Sequence, residues 1–91
     1  MINVGIVDDH AIVRSGLRQF LSEHVDLRVV GEAANGREAI DLVHQHDIQV
    51  LVMDLAMPGR SGIDVLAQLR AKAPHMGILV FSSHREDQYA I

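Results

Sequence analysis

The sequence has no cysteine in its 91 residues, which excludes a disulfide framework and a thiolate metal site. It also has no excess of positive charge, because the formal net charge is −4 at pH 7. The segment therefore has no general attraction to nucleic acid. No apolar run approaches the roughly 20 residues that a membrane-spanning helix needs, and no basic region precedes the first apolar stretch, as it would in a signal peptide. These absences favour a cytoplasmic protein without a membrane contact.

The composition is that of one small globular domain. Hydrophobic residues make up 48% of the chain and charged residues 22%, which is too apolar for a disordered segment. Short apolar runs at 2–7, 27–32, 50–53 and 78–81 predict four strands, and helical patterns separate them. Strands that are apolar on both faces and alternate with helices predict a parallel α/β sheet with helices on both faces.

Three helices are expected between the strands, and a fourth begins near the end of the chain. The first helix is predicted over 11–23. Capping-box spacing marks the other three starts, at Asn35 with Glu38, Ser61 with Asp64, and Ser83 with Glu86. Apolar residues at helical spacing predict the buried sides, which are Val13, Leu17, Phe20 and Leu21 in the first helix, Ile40 and Val43 in the second, and Leu66 and Leu69 in the third.

Polar side chains follow three of the predicted strands. Asp8 and Asp9 follow the first strand, Asp54 the third and Ser82 the fourth. Binding sites in parallel α/β sheets lie outside the carboxyl ends of the strands, so these side chains are expected to gather at one edge. Individually, Asp9 could cap a helix, Asp54 could form a turn and Ser82 could satisfy backbone groups. Together, oxygen ligands without histidine or cysteine favour a Mg²⁺ site.

Several motifs also resemble a known family. They are VDDH at 7–10, VGEAANG at 30–36, MDLAMPG at 53–59 and FSSH at 81–84. Their combination resembles the receiver domain of two-component response regulators, and is closest to the NarL/FixJ subfamily with LuxR-type output domains. The resemblance covers the whole chain and implies the flavodoxin-like receiver fold, a doubly wound parallel α/β sheet with the strand order 2-1-3-4. It also implies a signalling module that is not an enzyme.

The resemblance implies a role for each polar residue at the strand ends. Asp54 would accept a phosphoryl group from a phosphohistidine on a sensor histidine kinase. Mg²⁺ would be bound directly by Asp9, by Asp54 and by the backbone carbonyl of Ala56, and through water by Asp8. Ser82 would hydrogen-bond the phosphoryl group and sense its presence. Relatives commonly carry Asn at the position of Ala56, but the backbone contact is compatible with alanine.

The family pattern extends beyond Ile91 to a fifth strand bearing a lysine, a fifth helix and a DNA-binding output domain. Residues 1–91 are therefore interpreted as a receiver domain that is incomplete at its C-terminus, with DNA contacted only through an output domain outside this sequence. The fourth strand would then be an apolar edge strand. An isolated 91-residue fragment is predicted to form a homodimer, to swap elements or to aggregate.

Other readings are weaker or remain as alternatives. The sequence has neither the G-x-G-x-x-G nor the P-loop pattern. Val13 stands where a cobalamin signature requires glycine, and Ala56 stands where a haloacid-dehalogenase-like phosphohydrolase requires a second aspartate.

The histidines, including His10, are not expected to form a transition-metal site. Arg14 and Arg18 of the first helix are expected to be solvated. The resemblance implies that they, with Ser15, are available to a kinase. A receiver-like module that acts through protein contacts without phosphorylation is the alternative function.

Overall fold

The computed structural model describes residues 1–54 and 62–81. Their elements alternate along the chain as β1 (Ile2–Val7), α1 (Ala11–Ser22), β2 (Leu27–Ala33), α2 (Gly36–Gln45), β3 (Val50–Asp54), α3 (Gly62–Lys72) and β4 (Gly77–Phe81). The four strands are confirmed, with β2, β3 and β4 each extending slightly past the predicted range. The helix starts predicted at Ser61 and Ser83 lie outside the described residues.

The four strands form one parallel sheet in the order β2-β1-β3-β4, which confirms the predicted α/β fold and strand order. β1 lies between β2 and β3, so β2 is on one side of it and β3 and β4 are on the other. Val7 pairs with Ala33 on one side and with Met53 on the other. This register brings the end of β1 level with the end of β3, at the point where the strand order switches direction. Such a point is where α/β sheets form their binding sites.

One face of the sheet packs on α2 and α3. The fully buried strand residues Val7, Leu51 and Met53 form a cluster with side chains of both helices, namely Ala39, Leu42, Val65 and Leu69. Leu69 is buried as predicted, whereas Leu66 is only half-buried.

The buried side of α2 differs from the prediction. Gly36, Ala39 and Leu42 are buried, while Ile40 and Val43 are partly buried and pack against the edge of the cluster. The small residues Gly36 and Ala39 allow α2 to approach its neighbours closely. A search for large apolar residues therefore misses the centre of this contact.

The other face of the sheet is covered by α1, which packs mainly on β1 and β2. Val13, Leu17 and Leu21 are half-buried, but the prediction that Phe20 faces inward is wrong, because 59% of this residue is exposed. With 3.6 residues per turn, Phe20 lies about 60° around the helix from Leu17, at the margin of the apolar stripe. Its ring instead contacts His24 edge-on, with the ring centroids 5.4 Å apart. None of the described helices has the length and apolarity that a membrane crossing requires.

Candidate functional site

Three carboxylates and an imidazole meet at the carboxyl ends of β1 and β3. Asp8, Asp9, His10 and Asp54 each contribute an atom able to bind a metal, and these atoms all lie within 4.8 Å of one another. Asp8 and Asp54 are fully buried, whereas Asp9 and His10 form the more exposed part of the group. The structure thus brings together the three aspartates that the strand ends predict.

The loop between β1 and α1 is built around the side chain of Asp8. The backbone N–H of Asp8 donates to the carbonyl of Ala33 at 3.0 Å, which continues the pairing of β1 with β2. Oδ1 of Asp8 accepts a hydrogen bond of 2.7 Å from the backbone N–H of His10. This is the local aspartate turn that favours Asp two residues before a helix. It fixes the direction of the carboxylate.

Asp9 does not cap α1. The N-cap residue is His10, which has extended backbone angles and makes no side-chain cap hydrogen bond. The capping interpretation of Asp9 is therefore wrong, and its carboxylate is directed to the acidic group instead. His10 is a member of this group that the sequence analysis did not assign to the site. The signal that could have found it is the Asp-x-His spacing, because an aspartate turn places residue i+2 beside its side chain.

Two carboxylate oxygens of the site are buried without a hydrogen-bond donor among the described residues: Oδ2 of Asp8 and Oδ1 of Asp9. Nδ1 of His10 lies 3.1 Å from Oδ1 of Asp9, but it also lies 2.9 Å from Oδ1 of Asp8. A single N–H cannot donate well to both, and the geometry of a hydrogen bond is met only at Asp8. Buried carboxylate oxygens without donors are costly unless a cation compensates them. This donor set of hard oxygens fits Mg²⁺.

The negative charge of the site acts on His10. The hydrogen bond to Asp8 raises the pKa of His10, and the charges of Asp9, Asp8 and Asp54 raise it further, while the loss of hydration opposes them. The imidazolium form is therefore favoured at the rim of the acidic group, where it partly neutralises the carboxylates.

A second charged group supports the loop from the side of α1. Nη1 of Arg14 donates to the backbone carbonyl of Asp8 at 2.6 Å, and its Nε donates to Oε1 of Glu32 on β2 at 3.1 Å. The other oxygen of Glu32 accepts from Nε of Arg18. These arginines hold the pKa of Glu32 below its ordinary value: the hydrogen bond from Arg18 contributes most, and Arg14 adds to it.

The expectation that Arg14 is solvated is wrong, because only 20% of its side chain is exposed. The contact with Glu32 joins residues far apart in the chain, and no local sequence pattern predicts it. Of the remaining residues assigned from the resemblance, Ala56 and Ser82 lie outside the described residues. The described part of the site is therefore Asp8, Asp9 and Asp54, with His10 beside them.

The comparison with known protein families agrees with this geometry. The family model for the response regulator receiver domain matches residues 4–91. The chain belongs to this family. Such receivers are signalling modules, and the similar solved structures include a two-component response regulator of the LuxR family from Aurantimonas.

Curated relatives and solved structures give the degree of similarity. The receiver is 42% identical over 84 residues to the nitrate/nitrite response regulator protein NarL of Escherichia coli, covering 90% of this chain and 39% of NarL. It is 38% identical over 87 residues to the response regulator protein VraR of Staphylococcus aureus, covering 96% of this chain and 42% of VraR. This chain therefore spans about two fifths of the length of these relatives.

Among solved structures, the receiver superposes on RcsB of Salmonella enterica serovar Typhimurium bound to a promoter in the presence of a phosphomimetic. The TM-score is 0.86 and the identity 32%, over 97% of this chain and 74% of the RcsB chain. The response regulator domain of Thermotoga maritima CheB gives a TM-score of 0.85 and 35% identity, over 91% of this chain and 61% of that chain. Both structures share the receiver fold with this chain.

Proposed function

We propose that this receiver accepts a phosphoryl group on Asp54 from a phosphohistidine of a sensor histidine kinase, with Mg²⁺ bound among the carboxylates. The observation that carries the proposal is the position of Asp54. It is fully buried at the end of β3, and the carboxylates of Asp8 and Asp9 lie within 4.8 Å of it. Both of these neighbours hold a buried oxygen that accepts no hydrogen bond within the described part of the chain.

The arrangement suits phosphoryl transfer, in which positioning and charge neutralisation contribute more than covalent assistance. A carboxylate oxygen of Asp54 would form the bond to phosphorus while the bond from phosphorus to the kinase imidazole nitrogen breaks, and the electron pair of that bond leaves with the imidazole. Asp9, Asp54 and the backbone carbonyl of Ala56 would hold Mg²⁺ directly, and Asp8 would hold it through water. When bound, the ion would neutralise the negative charge that the carboxylates and the phosphoryl group bring together.

The proposal extends from the site to the response. Residues 1–91 would act as the receiver domain, and Ser82 would hydrogen-bond the phosphoryl group and report its presence. Transcription would be controlled through a LuxR-type DNA-binding domain outside this sequence, with homodimers as the DNA-bound form. Support comes from the relatives, since RcsB dimers have been solved bound to DNA. The proposal includes a cytoplasmic location, in keeping with a chain that contains no cysteine.

The test is phosphoryl uptake by the full-length protein. Incubation with acetyl phosphate and Mg²⁺ should add the mass of one phosphoryl group in intact-mass spectrometry, and a chelator should prevent the gain. Asp54→Asn should abolish it. Asp41→Asn, which removes an exposed carboxylate on α2, should leave it unchanged. A wild-type protein that gains no mass, or a gain that survives Asp54→Asn, would contradict the proposal and favour a module that acts without phosphorylation.

A further inference from the structure

We propose that Arg14 is a positioning residue for the loop at 8–10, and that Glu32 holds Arg14 in place for this purpose. The inference rests on the proposed Mg²⁺ site, because the loop carries two of its carboxylates. It concerns residues that touch neither the ion nor the phosphoryl group. Their contribution would be to hold the direction of the Asp8 and Asp9 side chains.

The first support is the contact between Arg14 and the loop. The guanidinium lies on the first turns of α1 and reaches back to the carbonyl of Asp8, where Nη1 donates a bond of 2.6 Å. The backbone N–H of Asp8 already donates to the carbonyl of Ala33 on β2 at 3.0 Å. Asp8 is therefore held through both of its backbone groups. A hydrogen bond from a charged donor is stronger than one between neutral groups, so Arg14 should restrict this part of the loop.

The second support is the choice of hydrogen-bond acceptors that the guanidinium of Arg14 binds. Arg14 reaches the backbone of Asp8, whose carboxylate belongs to the acidic group, and a guanidinium frequently pairs with a carboxylate by two parallel hydrogen bonds. Here Nε of Arg14 is directed to Oε1 of Glu32 at 3.1 Å, and Nη1 is directed to a backbone oxygen. Arg14 thus contacts the loop while Oδ2 of Asp8 and Oδ1 of Asp9 accept no hydrogen bond from it. These oxygens remain available to a cation.

Glu32 is suited to this role by its own surroundings. Its side chain is 26% exposed, and the two arginines lower its pKa, so it stays ionised as a partner for Arg14. Without its negative charge, the guanidinium would be free to turn towards the carboxylates of the site. It would then compete with Mg²⁺ for the same oxygens.

Arg18 provides a matched control. It binds the other oxygen of Glu32 and so ties α1 to β2 as Arg14 does, but the described residues show no hydrogen bond or ion pair between Arg18 and the loop at 8–10. Arg18→Ala should therefore reproduce the loss of the helix-to-strand ion pair without disturbing Asp8. Arg14→Lys should rescue Arg14→Ala only in part, because an ammonium has no planar fork to serve both Glu32 and the carbonyl of Asp8.

The experiment compares these variants in the full-length protein. Calorimetric titration with MgCl₂ measures the dissociation constant for Mg²⁺, and amide hydrogen exchange at His10 measures the order of the loop without the ion. Loss of a residue that orients a metal ligand typically weakens metal affinity at least about 10-fold. We expect a weakening of that order in Arg14→Ala, faster exchange at His10, an intermediate affinity in Arg14→Lys, and values close to wild type in Arg18→Ala.

A double-mutant cycle tests the part assigned to Glu32. If Glu32 acts through Arg14, Glu32→Gln should weaken Mg²⁺ binding in the wild-type background but have no further effect in Arg14→Ala. Equal losses in Arg14→Ala and Arg18→Ala, or unchanged affinity and exchange in Arg14→Ala, would overturn the inference. A wild-type protein that binds no Mg²⁺ would overturn the proposed site. In that case, hydrogen exchange at His10 alone tests the positioning role of Arg14. Faster exchange in Arg14→Ala but not in Arg18→Ala supports that role, and unchanged exchange in Arg14→Ala overturns it.

Discussion

The backbone N–H of His10 and the carboxylate of Asp8 form a 2.7 Å hydrogen bond that uses only one of the two carboxylate oxygens. The other oxygen, Oδ2, is buried and accepts no hydrogen bond from residues 1–54 or 62–81. Asp8 thus combines a structural function, at Oδ1, with an oxygen that is available for a ligand. The same side chain shapes the loop and brings a buried oxygen without a hydrogen-bond donor into the site.

This division of roles predicts that Asp8→Asn stabilises the protein when Mg²⁺ is absent. Asparagine keeps the oxygen that His10 bonds, and it replaces the uncompensated oxygen by an amide that can donate to a neighbouring carboxylate. The free energy of unfolding should rise by about 1–2 kcal/mol, the scale of a relieved buried polar group. Urea unfolding in the presence of a chelator measures it, with Asp41→Asn as the control. A lower free energy of unfolding for Asp8→Asn would contradict the prediction.

Mg²⁺ should stabilise the folded protein through the same carboxylates. A ligand that binds only the folded state adds RT ln(1 + [L]/Kd), about 2.7 kcal/mol when its concentration is 100 times Kd. We expect the melting temperature of the wild-type protein to rise with MgCl₂ and to fall back on addition of a chelator. The rise should be smaller in Asp8→Asn and Asp54→Asn. KCl at matched ionic strength controls for screening, and an equal rise in all three proteins would argue against binding at these residues.

The ion pairs of Glu32 should make stability depend on pH in the acid range. The pKa of Glu32 is lowered in the folded protein from an ordinary value of 4.5, so the folded state favours the ionised carboxylate. The stabilisation is present in full above pH 4.5, and it is lost as the pH falls through the lower pKa of the folded state. Glu32→Gln should therefore reduce the free energy of unfolding at pH 7, and the difference from wild type should shrink on acidification.

Urea unfolding of both proteins at a series of pH values measures this difference. Glu23→Gln is the matched control, because Glu23 is exposed at the end of α1 and the described residues show no ion pair for it. Its free energy of unfolding should stay close to wild type at every pH. A difference for Glu32→Gln that is constant from pH 7 into the acid range would mean that its ion pairs contribute nothing.

Two helical glycines should respond to alanine in opposite directions. In α1, a methyl group at Gly16 would meet nothing within 4 Å, so Gly16→Ala should stabilise the protein by about 0.5–1 kcal/mol through helix propensity alone. In α2, a methyl group at Gly36 would lie 2.6 Å from Cγ2 of Val65. Val65 is fully buried and its branched side chain is restricted in rotation, so Gly36→Ala should destabilise by about 1–3 kcal/mol.

Thermal or urea unfolding of the two variants beside wild type checks the pair. Gly16 lies in the interior of α1 and Gly36 is the first residue of α2, so the gain in helix propensity applies mainly to Gly16. Destabilisation by Gly36→Ala would then report the packing of α2 against Val65. Stabilisation by both variants would show that α2 can move away from Val65 at little cost.

Periodicity and local motifs were sufficient for the elements and for part of the site. Asn35 caps α2 as predicted, because its Oδ1 accepts from the N–H of Glu38, an interaction that depends only on residues close in the chain. Apolar runs located β1 and β3, and the rule that parallel strands end at one edge placed Asp8, Asp9 and Asp54 together. Patterns of large apolar residues predicted the wrong buried side for α2, because the small residues Gly36 and Ala39 form the centre of that contact.

The sequence by itself determined the alternation of strands and helices and the carboxylates at the strand ends, because these follow from hydrophobic periodicity and from the residues after each apolar run. The order of the strands followed from the resemblance to receiver domains. Only the tertiary structure decided that Arg14 is held by Glu32 against the carbonyl of Asp8, that Phe20 is exposed, and that particular oxygens of Asp8 and Asp9 accept no hydrogen bond among the described residues. Such facts depend on the distance between elements far apart in the chain. That distance is set by packing, which no local pattern encodes.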